Sequence, residues 1–158
     1  MPSGRARVTC VEIDRSSPVV FEKEVEIQAS PESVWNVLTD VDRWPAWNPD
    51  IRSARLNGTF AEGSQFRWKS GPSAITSTVE RVDKPRLVGW RGKTLGATAI
   101  HVWKLEPIAT GTRVRSEESM SGLVPRLFRS SMQRTLEKSL GTWLGEMAKT
   151  VETSKPET

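Results

Sequence analysis

Along the chain the spacing of apolar positions changes twice. From Val19 to Ala29 it alternates, with Phe21, Val25, Ile27 and Ala29 on one side and Glu22, Glu24, Glu26 and Gln28 on the other. That period of two predicts a half-buried strand. Ser30-Pro31-Glu32 then predicts a helix start: a serine cap, proline at the first helical position, and an acid near the positive end of the dipole. This short helix carries Val34, Trp35 and Leu38, and a second, broken helical piece through Val41 to Trp47 stops before Pro49. Turn signals at Asn57-Gly58, Glu62-Gly63, Ser70-Gly71-Pro72, Asp83-Lys84-Pro85, Gly92-Lys93 and Pro107 to Gly111 then divide a β-rich stretch. Strands are expected at about 51–57, 64–69, 73–82, 86–91, 96–106 and 112–120, as antiparallel neighbours because the turns are short. From Val124 to Val151 the apolar positions step by three and four, which predicts one helix of about 40 Å with a single apolar stripe. Gly141 and Gly145 each weaken it by about 1 kcal/mol relative to Ala. A helix that long with one apolar face needs a sheet to lie on. The order β-α-α-β₆-α therefore predicts an α+β fold, a curved antiparallel sheet against a long C-terminal helix.

Length and composition narrow the chemistry. The chain has 158 residues, enough for one domain. That domain is expected at 18–151, between a flexible N-terminal arm at 1–17 and a flexible polar tail at 152–158. Val8, Val11 and Ile13 could lay the arm on the surface. No run approaches the roughly 18 apolar residues of a membrane span, and no apolar signal core follows Met1, so a cytoplasmic protein is expected. A single cysteine, Cys10, excludes an internal disulfide and reads as an incidental thiol. With one histidine, any histidine chemistry rests on His101, and no metal or cofactor is expected. No phosphate-cradling glycine loop or nucleophile elbow is present. Tyrosine is absent, yet there are seven tryptophans. The formal net charge is +4, acidic over residues 1–50 and basic beyond, without a dense run. Nucleic acid is not expected as a partner, because alternation buries the tryptophans of Trp68-Lys69 and Trp90-Arg91 rather than presenting them for stacking.

The same alternation assigns the side chains that face the helix. They are Phe66 and Trp68; Ile75, Ser77 and Val79; Val88 and Trp90. The last two strands add Ala99, His101, Trp103 and Leu105, then Val114, Ser116, Glu118 and Met120. From the helix, Leu127, Phe128, Met132, Leu136 and Leu140 should look back. Such a set either fills its own space or walls a site for a small apolar ligand. Trp44 and Trp47 plug one end of the sheet or form its lid, while Trp35 and Trp143 read as packing anchors. Closing the last hairpin around 107–112 opposes Leu105 with Val114, Trp103 with Ser116, and His101 with Glu118. Opposed side chains have Cβ atoms about 4.5–5.5 Å apart, which permits a histidine–carboxylate hydrogen bond. The pair serves either to fix the hairpin or to orient a ligand and transfer a proton. Arg126, Arg129 and Arg134 are a solvated face or a greeting for an anionic ligand.

The element order, the opening Ser30-Pro31-Glu32-Ser33-Val34-Trp35 and the segment Leu38-Thr39-Asp40-Val41-Asp42-Arg43-Trp44-Pro45-Ala46-Trp47-Asn48-Pro49 resemble START-like (SRPBCC) proteins, within them the polyketide cyclase/dehydrase group. Pro85 to Gly92, His101 to Pro107 and Gly111 to Arg115 reinforce the likeness, which covers about residues 20–150. The resemblance implies a helix-grip fold, a seven-stranded sheet wrapped around the C-terminal helix with a cavity between. It also implies either binding of an apolar or aromatic molecule, such as a lipid or polyketide, or aldol cyclisation and dehydration of a polyketide chain. Fold alone does not choose between them. The ligand-facing residues would be Phe66, Trp68, Ile75, Ser77, Val79, Trp90, Trp103, Ser116, Met120, Leu127, Phe128, Met132 and Leu136, with His101 and Glu118 as the proton-transfer pair.

Overall fold

The computed structural model describes residues 11–154. Seven strands form one antiparallel sheet: β1 (Val19–Ile27), β2 (Ile51–Leu56), β3 (Gln65–Ser70), β4 (Ser73–Asp83), β5 (Leu87–Thr94), β6 (Ala97–Ile108) and β7 (Gly111–Ser121). Their spatial order is β1-β7-β6-β5-β4-β3-β2, so the last six make a meander and β1 returns to pair with β7. From β3 onward the connections are short hairpin turns, which leave consecutive strands no other neighbour. After β1 come α1 (Pro31–Thr39), a 3₁₀ turn at Val41–Arg43, and α2 (Trp44–Trp47). Ser30 caps α1, its Oγ accepting from the Ser33 amide at 3.2 Å. The closing elements are α3 (Leu123–Leu127) and α4 (Arg129–Thr153). At 1.5 Å per residue α4 is about 37 Å long, and its apolar stripe is buried through Leu136, Leu140, Trp143, Leu144, Met147 and Val151. This is the α+β helix-grip fold that the periodicity and the resemblance imply.

The hairpin register is the expected one. Leu105 opposes Val114, Trp103 opposes Ser116 and His101 opposes Glu118. One expectation fails at the long helix. It is not continuous from Val124, because the chain leaves helical geometry at Phe128 (φ −116°, ψ 41°). The cause is anchoring: the Val124 amide donates to the Gly96 carbonyl at 3.0 Å, and Pro125 is buried. These contacts fix the direction of α3 by the sheet rim rather than by α4. Leu127 and Phe128, expected to face the sheet, are 65% and 59% exposed. A spacing of three and four does not register a one-residue break.

Of the arm expected at 1–17, residues 11–17 are described, and Val11, Ile13 and Ser17 among them are buried. Val11 and Ile13 are buried with Val102 on the convex face of the sheet, and the Asp14 amide donates to Ser119 Oγ at 3.0 Å. Cys10 and Val8 lie outside the described residues. At the other end α4 takes in Glu152 and Thr153, which the expected tail had included.

Candidate functional site

The space between sheet and α4 is filled at one end and open at the other. On β3, β5 and β6 the inward side chains end small as the strands approach the turns at residues 70–73 and 94–97. On β6 the sequence is Leu105, Trp103, His101, Ala99, Ala97, and on β5 it is Val88, Trp90, Gly92, Thr94. At the large end Trp44, Phe66, Trp90, Trp103 and Trp143 are all at most 2% exposed. Trp44 meets Phe66 and Trp143 edge to face, with centroids 5.3 Å and 4.9 Å away, while Trp90 is tilted against Trp44 and Trp103. The Trp44 indole donates to the Leu38 carbonyl at 3.0 Å, so Trp44 is a plug and not a lid. Trp47 packs beside it on Trp143, with centroids 5.6 Å apart. So densely is this end filled with rings that the buried Trp103 Nε1 finds no acceptor among the described residues.

At the small end lies a cavity of about 690 Å³. Of the residues singled out from sequence, Trp68, Ile75, Ser77, Trp90, Met120, Met132 and Leu136 line it, as do His101 and Glu118. Phe66, Val79, Trp103 and Ser116 face inward but lie in the filled end, behind the cavity wall, and all are buried. Leu127 and Phe128 are not on the wall. Sequence reasoning missed the two rims, Ser70 to Ser73 on the β3–β4 turn and Thr94 and Ala97 flanking the β5–β6 turn, and it missed Gly92, Thr135 and Trp143. The signal for them was the small inward residues at the ends of β3, β5 and β6, Ser70, Gly92, Thr94 and Ala97, whose size alternation alone does not weigh.

The inner end of the cavity carries its buried polar groups. Ser77 Oγ accepts from the Trp68 indole at 3.0 Å. His101 Nε2 and Ser116 Oγ share a hydrogen bond of 2.7 Å, while Nδ1 lies 3.7 Å from Glu118 Oε2. The histidine–glutamate pair is thus opposed but beyond direct hydrogen-bond distance, and the expected bond to the carboxylate goes to Ser116 instead. The reason is reach. Both side chains stand on the same face, and the serine hydroxyl meets the ring nitrogen that points along the strand toward the filled end. Glu118 is left with no side-chain hydrogen bond among the described residues, facing the cavity. Burial holds His101 down at about 3 and pushes Glu118 up to about 8. At neutral pH the ring is uncharged and the carboxyl keeps its proton, so a buried ion pair is avoided. A neutral carboxyl in an apolar wall donates one hydrogen bond and accepts others.

A family model described as polyketide cyclase / dehydrase and lipid transport matches residues 18–152. The chain belongs to that family. Solved structures agree on the fold. A hypothetical protein from Helicobacter pylori superposes with a TM-score of 0.78 at 17% identity, covering 92% of this chain and 99% of that one. A START superfamily protein from Mycobacterium smegmatis gives 0.74 at 16% identity, covering 86% and 99%. The di-domain ARO/CYC StfQ from the steffimycin biosynthetic pathway gives 0.73 at 15% identity, with 85% of this chain matched to 51% of that one. No curated protein matches the chain. These likenesses, all at 17% identity or below, give the chain an SRPBCC/START-like fold. Among the described residues no helix is long and apolar enough to cross a membrane.

Proposed function

We propose that the chain binds a small apolar or aromatic molecule, lipid- or polyketide-like, in the cavity between the sheet and α4. The observation that carries this reading is the wall itself: about 690 Å³ with tryptophan, methionine and aliphatic side chains in its lining, buried polar groups at its inner end, and Asp50, Arg52 and Lys138 also on the lining. That volume is within the range of small-molecule sites, and the mix of surfaces suits an apolar body with one polar group. Glu118, His101 and Ser77 would face that group, the protonated carboxyl donating to a carbonyl or hydroxyl oxygen. Trp68 and Trp90 report on occupancy, since both line the cavity. Titration with a hydrophobic dye, then with fatty acids and polyphenols, should quench tryptophan emission saturably and independently of salt. Native mass spectrometry of protein purified without refolding should show a retained small molecule. Neither quenching nor a retained molecule across such a panel would overturn the reading.

The unpartnered Glu118 carboxyl favours a second reading, cyclisation of a polyketide chain in the same cavity. Aldol closure and dehydration need one group to give and one to take a proton near the reacting carbonyl, and Glu118 and His101 are the buried pair there. Glu118→Gln keeps the shape and a hydrogen-bond donor but removes the exchangeable acid. Under the binding reading it retains affinity. Under the cyclisation reading it binds a poly-β-keto analogue yet forms no ring.

A further inference from the structure

Every large hydrophobic side chain that is exposed among the described residues lies at one corner of the molecule. Leu95, 95% exposed, tips the β5–β6 turn, and Leu123, Leu127 and Phe128 belong to α3 and its end. The corner is one piece, because the Val124 amide of α3 donates to the Gly96 carbonyl at 3.0 Å. Two glycines make that approach possible. Gly96 (φ +72°) would drive a Cβ to 2.6 Å from Val124, and Gly122 (φ +113°) to 2.7 Å from the Gly96 carbonyl oxygen. Backbone conformation and close approach both demand glycine there. Exposing four large apolar side chains together on a tip is unfavourable in water and calls for a use.

Charge at the same corner has one sign. Residues 93–98 and 121–136 contain Lys93, Arg126, Arg129 and Arg134 and no acidic residue. All four are exposed, and among the described residues none forms a salt bridge, although Arg129 Nε donates to the Pro18 carbonyl. Thr94, Ala97 and Met132, which adjoin these residues, line the cavity. The basic, apolar corner is therefore a rim of the cavity.

We infer that this corner, α3 with the β5–β6 turn, docks on the surface of an anionic phospholipid bilayer, with its apolar side chains dipping among the acyl chains and its basic ones on the phosphates. A bilayer suits it better than a protein partner. The side chains protrude from a short helix and a hairpin tip rather than forming the broad flat patch that a stable protein interface needs. A fluid interface accepts protruding apolar side chains, and an anionic one rewards the basic ring around them. The inference stands on the rim and not on what the cavity holds.

Flotation of the full chain with phosphatidylcholine vesicles, with and without phosphatidylglycerol, tests it. The chain should float with the anionic vesicles only, and less at high salt. The double variant Leu127→Asp, Phe128→Asp should bind them at least about tenfold more weakly, and Arg126→Ala, Arg134→Ala about tenfold more weakly with a shallower salt dependence. Neither pair lines the cavity, so thermal melting and dye uptake from solution should match the parent chain in both. Failure of dye binding would thus count against the cavity reading and leave docking intact. Absence of flotation with anionic vesicles overturns the inference, as does flotation unchanged by either double variant. Self-association abolished by Leu127→Asp, Phe128→Asp, without flotation, assigns the corner to a second copy of the chain and overturns it as well.

Discussion

The two ends of the space under the sheet are built by the same strands and the same helix, yet one is solid and the other hollow. What differs is the size of the inward residue at each step. Toward Val88 and Leu105 the inward positions hold Trp90, Trp103 and Phe66, and Trp44 and Trp143 close over them. Toward the turns they hold Gly92, Thr94, Ala97 and Ala99, and the facing residue on α4 is Met132. A sheet this curved under a 25-residue helix encloses more volume than small side chains fill. Packing one end with interlocking rings lets the other end stay empty without collapse, since core stability resides where atoms touch. The comparison separates a structural half from a site half on one continuous surface.

The largest effect should therefore fall at the solid end. Trp143→Ala or Trp44→Ala removes a ring wedged among other rings and should cost about 3–5 kcal/mol in urea unfolding. Met132→Ala, on the cavity wall, should cost about 1 kcal/mol or less, because the wall there already lacks close partners on one side. Equal losses at the two ends would mean that the cavity end is packed as tightly as the ring cluster.

The two faces of β7 sharpen the contrast through neighbouring glutamates. Glu117 points to the convex face, where Arg115 Nε at 2.9 Å and Lys104 Nζ at 3.2 Å donate to it. Glu118 points into the cavity, and burial raises it from 4.5 to about 8. In the folded state it holds a proton that the unfolded chain releases above 4.5, so it makes stability fall as pH rises from 4.5 to 8. His101 acts in the opposite sense. Lowered from 6.5 to about 3, it stays neutral where the unfolded chain is protonated, so it makes stability rise from pH 3 to 6.5. The two slopes offset between pH 4.5 and 6.5, leaving a plateau, and only Glu118 acts from 6.5 to 8. Over that last interval the chain should lose about 2 kcal/mol. Chemical denaturation at a series of pH values reads this, and Glu118→Gln should flatten the alkaline limb. Carboxylates lowered by partners, such as Glu22 beside Arg115, act on the acid limb alone. An alkaline limb that persists in Glu118→Gln would place the titrating group elsewhere.

Much of this was legible from spacing. Alternation with hairpin closure gave the opposition of His101 and Glu118, because a strand has only two faces and a short turn leaves one register. The serine cap before Pro31 and the apolar stripe of α4 are local signals, present in the structure as the spacing predicts. Three features were not local. The break at Phe128 depends on Val124 meeting Gly96 across the fold, which no period within the helix encodes. The preference of His101 for Ser116 over Glu118 depends on a reach of about one ångström, below what a face assignment resolves. The burial of Val11 and Ile13 depends on the convex face of β6 offering Val102, a partner far along the chain.

The smallest stability effect makes the most direct test of hollowness. Ala99 and Val114 both point inward from central strands, Ala99 at the cavity and Val114, fully buried, at the solid end. Enlarging each asks the same question of two regions. Val114, fully buried between Leu105 and Val25, leaves no room for a ring, so Val114→Phe should cost about 1–3 kcal/mol through displaced neighbours. Ala99→Leu adds three carbons into open volume and should change stability by no more than about 0.5 kcal/mol, since its new surface leaves water without displacing a side chain. The same three carbons occupy space that a ligand needs, so dye or fatty-acid binding should weaken at least about tenfold. Thermal melting and tryptophan quenching on one preparation give both readings. If Ala99→Leu melts like the parent and binds like it too, the hollow is real but the ligand sits elsewhere along the wall, toward Arg52 and Pro72. A variant as unstable as Val114→Phe would mean that the space beside Ala99 closes in solution, and the division of the interior into a solid and a hollow end would not survive.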